Sequence, residues 1–522
     1  MSREIELART AARGAFHIFI GKIISRAIGI LGGIILIRLL KPDEYGLISI
    51  AIVAPSILLL FSDLGVDTAI TKYLSEYRSK NEIGNLKPLF YSGLIFRLIT
   101  SCILTIICFF IAEPFASIAV GKPYVATLIQ IASLLIFAWA LSSFSESVFL
   151  GFDATKSYAV FLIIMEILLS AMPIVLVLYG MGVRGALLGM VVANLIASLM
   201  QVLTSVFITI KTTRGLNAAA FTFNLKSALK TMLVFGIPMQ AVIFIGDGLG
   251  RYYNFMIAAY CAPSDVGNYS VAEKSNAFID YMTWPISLIL FPTFSKMSHE
   301  ESSTLKKALK YSVKYSSFFI LPAVIVIVVL AHPLTVFLFG IDYEASWIYL
   351  TLLAMGSLGY GLGGVHLRKL MLSQGETKFI AMLDTLSALI GIIVGLLLIP
   401  LYGILGFLVT NLVTGWPSYI IMFKKAQAKY RVMPPLKDMG RLYLSIVITG
   451  AAVALVASMT ISELFKLVLG LFVGVVTYMI SVVLTNAIKQ DDLDNLREIT
   501  RTQPVINVVA DKIFKILELI VK

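Results

Sequence analysis

The amino-acid sequence predicts an all-α, polytopic membrane protein with about 14 transmembrane helices. Hydrophobic residues make up 58% of the 522 residues and charged residues only 14%, whereas soluble globular proteins carry roughly 25% charged residues. Apolar runs of about 20 residues, the length that crosses a hydrocarbon core of about 30 Å, recur along the whole chain. Most of the Lys and Arg residues behind the net charge of +12 lie in the loops. The charge therefore reflects the orientation of the chain in the membrane and does not indicate a nucleic-acid partner.

The fourteen predicted spans are apolar runs bounded by charged residues and by Gly or Pro. The first run, AFHIFIGKIISRAIGILGGIILIRLL (15–40), is too long for the apolar core of a signal peptide and lacks a following cleavage site, so we expect it to remain as a span. The predicted spans are residues 16–40, 45–65, 88–112, 125–150, 157–179, 184–210, 228–258, 266–294, 312–340, 346–370, 377–400, 403–423, 440–460 and 463–487.

Positive charges are distributed unequally between the two sides of the predicted membrane. If the first span starts in the cytoplasm, the cytoplasmic segments and the span ends that border them hold 32 of the 42 Lys and Arg residues, whereas the outward loops and their bordering span ends hold only five. An excess of Lys and Arg is typical of cytoplasmic loops. The pattern therefore predicts a multi-pass protein of the cell membrane with both termini in the cytoplasm. The five outward cations are Arg38, Lys41, Lys122, Arg184 and Lys466.

Three short sequence matches recur in the same order at nearly one spacing, which indicates an internal repeat. The first and third pairs are 221 residues apart and the second pair is 222 residues apart. Six predicted spans separate the copies, an even number, so both halves are expected to cross the membrane in the same direction. The matched segments are KPDEYGLISIA (41–51) with APSDVGNYSVA (262–272), DATKSYAV (153–160) with GETKFIAM (375–382), and GVRGALL (182–188) with GILGFLV (403–409).

The repeat predicts two parallel six-helix bundles, residues 1–211 and 212–430, related by a pseudo-twofold axis along the membrane normal, with a working cavity between them. Two additional transmembrane helices are predicted in residues 431–488. Residues 489–522 are predicted to form a cytoplasmic amphipathic tail, because apolar residues recur there at helical spacing among charged ones. The tail suits either the surface of the cytoplasmic leaflet or the base of the bundle itself.

Five cations lie within the predicted spans away from the span ends: Lys22, Arg26, Arg97, Arg251 and Lys274. An ionisable side chain at the centre of a span costs about 2.5–3.5 kcal/mol on insertion scales, so such residues usually face protein or water. Lys22 and Arg26 are four residues apart and share one helical face. Together they suit a phosphate or pyrophosphate. The alternative is that both side chains reach the cytoplasmic headgroups.

The other three intramembrane cations each have a structural alternative to substrate binding. Arg251 lies four residues after Asp247 on the same helical face, so an internal salt bridge competes with an anionic substrate. Lys274 follows Glu273 and is equally suited to a local charge pair. Arg97 has no acidic residue close in sequence, which leaves a partner on another helix as its alternative.

Glu166 and Asp384 lie well inside predicted spans 5 and 11. With Asp247 they are candidates for ion coupling or for pairing with the cations, and pairing between helices is the simpler explanation for Glu166 and Asp384. No enzyme signature is present: the four histidines are scattered, the three cysteines form no CxxC pair, and HExxH and P-loop motifs are missing. We therefore predict no catalytic residue, metal site or cofactor. Any transport must draw on an ion gradient, the membrane potential or the gradient of the substrate.

Three segments carry a resemblance to a known family. They are RLLKPDEYGLISIA…DLGVDTAITKYLSEYRSK (38–80), FGIPMQAVIFIGDGLGRYYNFMIAAYCAPSDVGNYSVAEK (235–274) and LFPTFSKMSHEE (290–301). They resemble the polysaccharide-biosynthesis membrane proteins, the Wzx-type lipid-linked oligosaccharide flippases of the multidrug/oligosaccharidyl-lipid/polysaccharide superfamily. The likeness covers roughly the first 430 of the 522 residues.

The resemblance implies a flippase that carries a polyprenyl-(pyro)phosphate-linked oligosaccharide from the cytoplasmic to the outer leaflet by alternating access through a cationic central cavity. In related flippases basic residues of the first and the seventh or eighth helices line that cavity. Implied partners are the lipid-linked oligosaccharide on its anionic polyprenyl carrier, membrane lipids and glycan assembly enzymes. The implied substrate-binding residues are Lys22, Arg26, Arg251 and Lys274, with Arg97 as a further candidate.

Three other functions stay open at this point. A cation-coupled multidrug exporter of the same superfamily is expected to carry acidic residues in its first helix, which here is basic. A membrane glycan polymerase needs a catalytic cluster in an outer loop, and the predicted outer loops are short. A non-transporting envelope scaffold differs from a flippase only in having no activity.

Overall fold

The computed structural model describes residues 3–214, 224–295, 302–431, 433–492 and 494. Every regular element within these ranges is a helix, and no β-strand occurs among them. Nine helical stretches of the described chain are long and apolar enough to cross a membrane, or ten if one bent pair counts as a span. The all-α, multi-span prediction is thus confirmed, whereas the number 14 and the cytoplasmic termini stay predictions. Residues 495–522, most of the predicted tail, lie outside the described residues.

The described chain contains seventeen α-helices. In order they are α1 (Arg3–Leu39), α2 (Pro42–Ala51), α3 (Val53–Asp63), α4 (Val66–Ser79), α5 (Leu86–Pro114), α6 (Ala126–Gly151), α7 (Thr155–Leu176), α8 (Gly182–Thr212), α9 (Leu225–Tyr260), α10 (Pro263–Ser295), α11 (Ser302–Val329), α12 (Ala331–Phe339), α13 (Ser346–Ser357), α14 (Gly364–Ser373), α15 (Thr377–Tyr430), α16 (Leu436–Ala457) and α17 (Glu463–Leu484).

Two of the spanning stretches are too long for one crossing. Thr155–Thr212, which contains α7 and α8, has 58 residues, and Thr377–Tyr430, which is α15, has 54 residues, whereas one crossing needs about 20. Each contains a glycine with non-helical backbone angles, Gly182 (φ 52°, ψ −138°) and Gly403 (φ 57°, ψ −131°). Each stretch therefore consists of two limbs that meet near a glycine.

The backbone conformation repeats at the positions where the sequence repeats. Gly182 and Gly403 are matched residues 221 positions apart, and a residue with a Cβ rarely adopts their angles because the Cβ collides with the backbone. Asp153 (φ 52°) and Gly375 (φ 82°), another matched pair, both have positive φ just before a helix. The internal repeat is therefore present in local structure as well as in residue type.

One further repeated position was missed by sequence matching. Gly121 (φ 70°) and Gly340 (φ 97°) are 219 residues apart. Each precedes a single 3₁₀ turn, Pro123–Val125 and Ile341–Tyr343, that leads into α6 and α13 respectively. Tyr124 and Ala126 match Tyr343 and Ala345 at the same spacing of 219, which differs from the 221–222 of the three matched segments.

The chain divides into two compact units. Unit 1 consists of Met1–Gly267 and Ile392–Phe407, and unit 2 consists of Asn268–Gly391 and Leu408–Lys522. The predicted bundles, residues 1–211 and 212–430, follow the sequence repeat and stay a prediction.

In unit 1, α1 packs along α7 through small residues. A Cβ built on Gly21 would lie 2.8 Å from the Cβ of Ala159. A Cβ on Gly29 would overlap the Glu166 carboxylate, and one on Gly32 would overlap the Ser170 side chain. Glycine is therefore required along this face of α1, because small residues let two spanning helices approach closely.

Unit 1 also contains a reciprocal contact between matched repeat segments. A Cβ on Gly46 would overlap the carbonyl oxygen of Pro263, and a Cβ on Gly267 would overlap the carbonyl oxygen of Pro42. The two contacts have the same form with the partners exchanged, which is the local signature of a twofold relation.

In unit 2, a buried ion pair attaches the chain after α17 to α11. The Lys314 side chain is 3% exposed, and its Nζ lies 2.6 Å from Oδ2 of Asp492. The Tyr315 hydroxyl donates to the other carboxylate oxygen at 3.3 Å. A buried charge needs a partner of this kind. The first residues of the predicted tail are therefore held against α11.

Glu376, the residue before α15, carries a second ion pair in unit 2. Lys425 Nζ lies 2.7 Å from Oε2 of Glu376, and Lys429 contacts Oε1. Hydrogen bonds from Lys425 and then Lys429 lower the pKa of Glu376 to about 2, so the carboxylate stays ionised at neutral pH. Because these lysines lie near the C-terminal end of α15, the pair joins the two ends of this long helical stretch.

Gly403→Ala is expected to lower the thermal unfolding midpoint of the purified protein, because a Cβ at these angles costs about 1–3 kcal/mol. Gly182→Ala should have the same effect. Gly415→Ala is the matched control, since Gly415 lies inside α15 and a Cβ there meets nothing within 4 Å. The midpoint should stay constant or rise in the control. Equal midpoints for all three variants would contradict a role for the repeated glycine break.

Candidate functional site

The cations of α1 lie in unit 1 beside α6 and α7. Lys22 is half-buried and Arg26 is exposed, while Ser25 between them is buried and donates to the carbonyl oxygen of Lys22 at 3.1 Å. Lys22 interacts electrostatically with Glu146 of α6. One turn beyond Arg26, the Glu166 carboxylate of α7 lies against Gly29. Carboxylates from two neighbouring helices therefore approach this part of α1.

Glu146 is an acidic residue that the sequence analysis missed. Its side chain is half-buried in α6 and accepts a hydrogen bond from the Tyr158 hydroxyl of α7. Besides Lys22, it interacts with Asp67 of α4. The available signal was an acid inside predicted span 4, the same signal that selected Glu166 in span 5.

Arg97 of α5 is enclosed by partners on other helices of unit 1. The residue is 1% exposed, and its Nη1 donates to Ser62 Oγ at 2.9 Å. Its Nη2 donates to the Ala140 carbonyl oxygen at 2.9 Å and to Asp67 Oδ2 at 3.3 Å. A carboxylate oxygen of Asp63 lies 3.9 Å from Nη1. This geometry favours the alternative role of Arg97, a charge paired between helices, over contact with a substrate.

Asp67 connects the buried arginine to an exposed residue. Its Oδ2 accepts a hydrogen bond from Ser143 Oγ at 2.5 Å, and Ser143 is exposed. Ser143 lies one turn before Glu146 on α6. Oδ1 of Asp67 and Nε of Arg97 are buried and have no hydrogen-bond partner among the described residues. The sequence analysis missed both Asp63, at the end of predicted span 45–65, and Asp67, which lies just beyond that span after the break between α3 and α4.

Arg251 and Asp247 lie on α9, which bends by 53° between Leu225–Ala241 and Ile243–Tyr260. Arg251 is half-buried and Asp247 is exposed. No ion pair joins them in the part of the chain that the structure describes. Gly246 and Gly250 beside them face open space, since an added Cβ would meet nothing within 4 Å. The internal salt bridge that competed with substrate binding is thus not formed here.

The remaining predicted residues belong to unit 2. Lys274 of α10 is exposed, and the neighbouring Glu273 accepts a hydrogen bond from the Tyr269 hydroxyl. Asp384 of α15 accepts two hydrogen bonds from Arg368 of α14, at 2.8 and 2.7 Å. Asp384 is therefore engaged in a two-point pair between helices, and Arg368 is its partner.

In unit 1, Glu146 of α6 thus accepts a hydrogen bond from Tyr158 of α7 and interacts electrostatically with Lys22 of α1. Arg26 and Glu166 lie further along α1 and α7, respectively. Both cations of α1 therefore lie in a part of unit 1 that also contains carboxylates of α6 and α7. Among the described residues no group of three or more His, Cys, Asp or Glu side chains is arranged to hold a metal ion.

Two solved structures share the fold of this chain. The lipid II flippase MurJ in an inward closed conformation matches with a TM-score of 0.69 and 16% identity, over 90% of this chain and 98% of that chain. An inward-facing multidrug resistance MATE family transporter of the MOP superfamily matches with a TM-score of 0.61 and 17% identity, over 78% of this chain and 94% of that chain. At these identities the likeness concerns the fold alone.

The sequence comparisons concern the family. The succinoglycan biosynthesis transport protein ExoT of Rhizobium meliloti is 26% identical over 328 residues, which are 62% of this chain and 61% of ExoT. The aligned region therefore spans less than two thirds of ExoT. The profile of the family described as polysaccharide biosynthesis protein matches residues 35–348, more than half of the chain. The predicted family is thereby confirmed: this multi-pass membrane protein belongs to the polysaccharide biosynthesis protein family.

Proposed function

We propose that this protein is a flippase that moves a polyprenyl-phosphate- or pyrophosphate-linked oligosaccharide from the cytoplasmic to the outer leaflet by alternating access. The observation that carries the proposal is the pair of cations, Lys22 and Arg26, inside a spanning helix, with Lys22 beside a carboxylate on α6. Family membership and the transport role named for ExoT support it.

The proposal has an energetic basis. A charged, hydroxyl-rich headgroup pays a large desolvation cost in hydrocarbon unless polar groups replace its water. Fixed cations on a spanning helix supply such groups for a phosphate, and guanidinium matches phosphate oxygens with two parallel hydrogen bonds. The polyprenyl tail remains in lipid throughout. The direction of transport then depends on a difference in affinity for the substrate between the inward-open and outward-open states.

The proposed cation set is Lys22 and Arg26, together with Arg251 and Lys274 as further contacts. Arg251 suits this role because its side chain is half-buried and has no ion pair among the described residues. Arg97 is left out of the set, since its guanidinium is enclosed by oxygen partners. Asp384 is not proposed as an ion-coupling residue, because Arg368 donates a hydrogen bond to each of its carboxylate oxygens.

A second candidate function is a cation-coupled multidrug exporter. One observation favours it: Glu146 is a half-buried carboxylate inside a spanning helix, and a carboxylate suits a cationic drug. The basic character of α1 opposes this function, because Lys22 and Arg26 repel a cationic ligand in the same place.

Arg26→Ala is expected to lower the rate at which lipid-linked sugar reaches the outer leaflet by roughly tenfold or more, because a charge-assisted hydrogen bond contributes about 1.5–3 kcal/mol. The measurement is lectin or periodate accessibility of the sugar in proteoliposomes, normalised to the amount of inserted protein. Arg38→Ala is the matched control, the same change on the same helix about 18 Å away. A rate in Arg26→Ala equal to that of the control would remove Arg26 from the site.

Lys22→Glu distinguishes the two candidate functions. Reversing this charge should abolish the flipping of a lipid-linked sugar, because phosphate would then face two carboxylates. For an exporter of cationic drugs the same change should raise efflux of a cationic dye such as ethidium. Both activities are measured in parallel in membranes with equal protein content. Increased dye efflux with unchanged sugar flipping would reject the flippase and favour the exporter.

A further inference from the structure

The break between α3 and α4 carries a buried carboxylate with one unoccupied oxygen. We propose that Asp67 is a proton-binding site: the proton occupies Oδ1, and its arrival or departure changes how strongly Arg97 holds α4. The inference rests on the proposed function and makes the flipping step depend on a proton. Asp67 was not among the residues selected from the sequence.

The chain is interrupted between α3 and α4 at two residues with left-handed backbone angles. Leu64 has φ 49° and ψ 25°, and Gly65 has φ 82° and ψ 11°. A bulky residue such as leucine rarely adopts these angles, and such strain persists only where the surrounding structure fixes it. Asp63 and Asp67 lie on either side of the break. Oδ1 of Asp63 accepts the backbone N–H of Asp67 at 2.8 Å.

The charged side chains at this break carry an excess of negative charge. Nη2 of Arg97 lies 3.3 Å from Oδ2 of Asp67, and Nη1 lies 3.9 Å from Oδ1 of Asp63. One guanidinium thus serves two carboxylates. The side chains of Arg97 and Asp67 are only 2% and 10% exposed, so water compensates little of the second negative charge. One bound proton makes the three side chains neutral together.

The two carboxylate oxygens of Asp67 have different surroundings. Oδ2 accepts hydrogen bonds from Ser143 Oγ at 2.5 Å and from Arg97 Nη2 at 3.3 Å. Oδ1 is buried and has no hydrogen-bond partner among the described residues, and the same holds for Nε of Arg97. A proton on Oδ1 removes the unsolvated charge and leaves both bonds to Oδ2 in place. Because Ser143 is exposed, the carboxylate is one hydrogen bond away from the surface of α6.

Charged groups act on Asp67 from three neighbouring helices. The helix α3 supplies Asp63, α5 supplies Arg97, and α6 supplies Glu146, which interacts electrostatically with Asp67. The helix α9 also packs on α4, but within the described chain it forms no ion pair or hydrogen bond with Asp67. Two carboxylates therefore oppose the ionised form of Asp67, and one cation favours it.

Proton binding at Asp67 acts on the position of α4. The ionised carboxylate holds α4 to α5 through Arg97, whereas a neutral carboxyl group accepts the same hydrogen bond more weakly. Arg97 keeps its bonds to α3 and α6 in both cases, so the contact with α4 is the one that loosens. On its other side α4 meets α9, where a Cβ on Gly65 would overlap the carbonyl oxygen of Gly236. The proton therefore acts on a helix that contacts α9, which carries Arg251.

The proton site is tested by infrared difference spectroscopy of the full-length protein in lipid. Spectra are compared between about pH 5 and about pH 9, a range in which exposed Asp and Glu side chains, with pKa values of about 4, are already ionised. The wild type should lose the carbonyl band of a protonated carboxylic acid as the pH rises, and Asp67→Asn should lack that band. Glu113→Gln, on an exposed carboxylate of α5, is the matched control and should keep it.

A second variant tests which oxygen carries the proton. With the proton on Oδ1, the carbonyl oxygen of the acid is Oδ2, which accepts the hydrogen bond of Ser143. Removing that bond in Ser143→Ala should shift the carbonyl band to higher frequency. A purely structural role of Asp67 would produce neither the band nor the shift.

Flipping of lipid-linked sugar in proteoliposomes gives the functional readout over the same pH range. The wild-type rate should fall several-fold as the pH rises, because ionised Asp67 binds Arg97 more strongly and restrains α4. In Asp67→Asn, which is neutral at every pH, this fall should be absent. Glu113→Gln should follow the wild type.

Three results would overturn the inference. The first is a set of spectra in which Asp67→Asn removes no band. If Asp67→Asn fails to fold, a band that stays in place in Ser143→Ala is the second. The third is an equal fall in flipping rate in the wild type and in Asp67→Asn. The proposed function fails separately, since the infrared measurement needs no substrate: a protein that shows the Asp67 band but flips no lipid-linked sugar rejects the flippase and keeps the proton site.

Discussion

A positive charge inside a membrane span is tolerated only when another group compensates it, and this constraint organises unit 1. Uncompensated, a lysine at the centre of a span costs about 2.5–3.5 kcal/mol. Lys22 of α1 interacts electrostatically with Glu146 of α6, and α1 packs closely along α7. Gly21, Gly29 and Gly32 permit that approach, because the space of their missing side chains is taken by α7. The packing of small residues and the placement of charge are thus parts of one arrangement.

Unit 1 contains two ionic arrangements that differ in accessibility. Arg97 is 1% exposed and is enclosed by side-chain and carbonyl oxygens from neighbouring helices, which is the pattern of a charge that fixes helix positions. Lys22 and Glu146 are both half-buried, so part of each side chain lies outside the packed interior. Asp67 touches Arg97 and acts on Glu146. The network around Arg97 therefore holds the Asp67 carboxylate near Glu146.

Much of the fold followed from the sequence, while the partners of the charged residues did not. Apolar runs predicted the all-α, multi-span fold, and the repeat selected Gly182 and Gly403, because both signals are local in sequence. The electrostatic interaction of Lys22 with Glu146 joins residues more than a hundred positions apart, so no spacing rule reveals it. Asp67 lies at a helix break and escaped a search confined to apolar runs. Arg97 was found as a buried charge, but its partners depend on packing that residue order does not express.

The central claim is that the site recognises the phosphate of the carrier lipid, and it is tested most directly by varying the lipid. The measurement compares flipping of two lipids in proteoliposomes of the wild-type protein, with the same sugar and the same polyprenyl tail. One has a pyrophosphate linkage and the other a neutral ether linkage. The account predicts rapid, protein-dependent flipping of the pyrophosphate lipid and none of the ether lipid above the protein-free rate. Equal protein-dependent rates for the two lipids would contradict it.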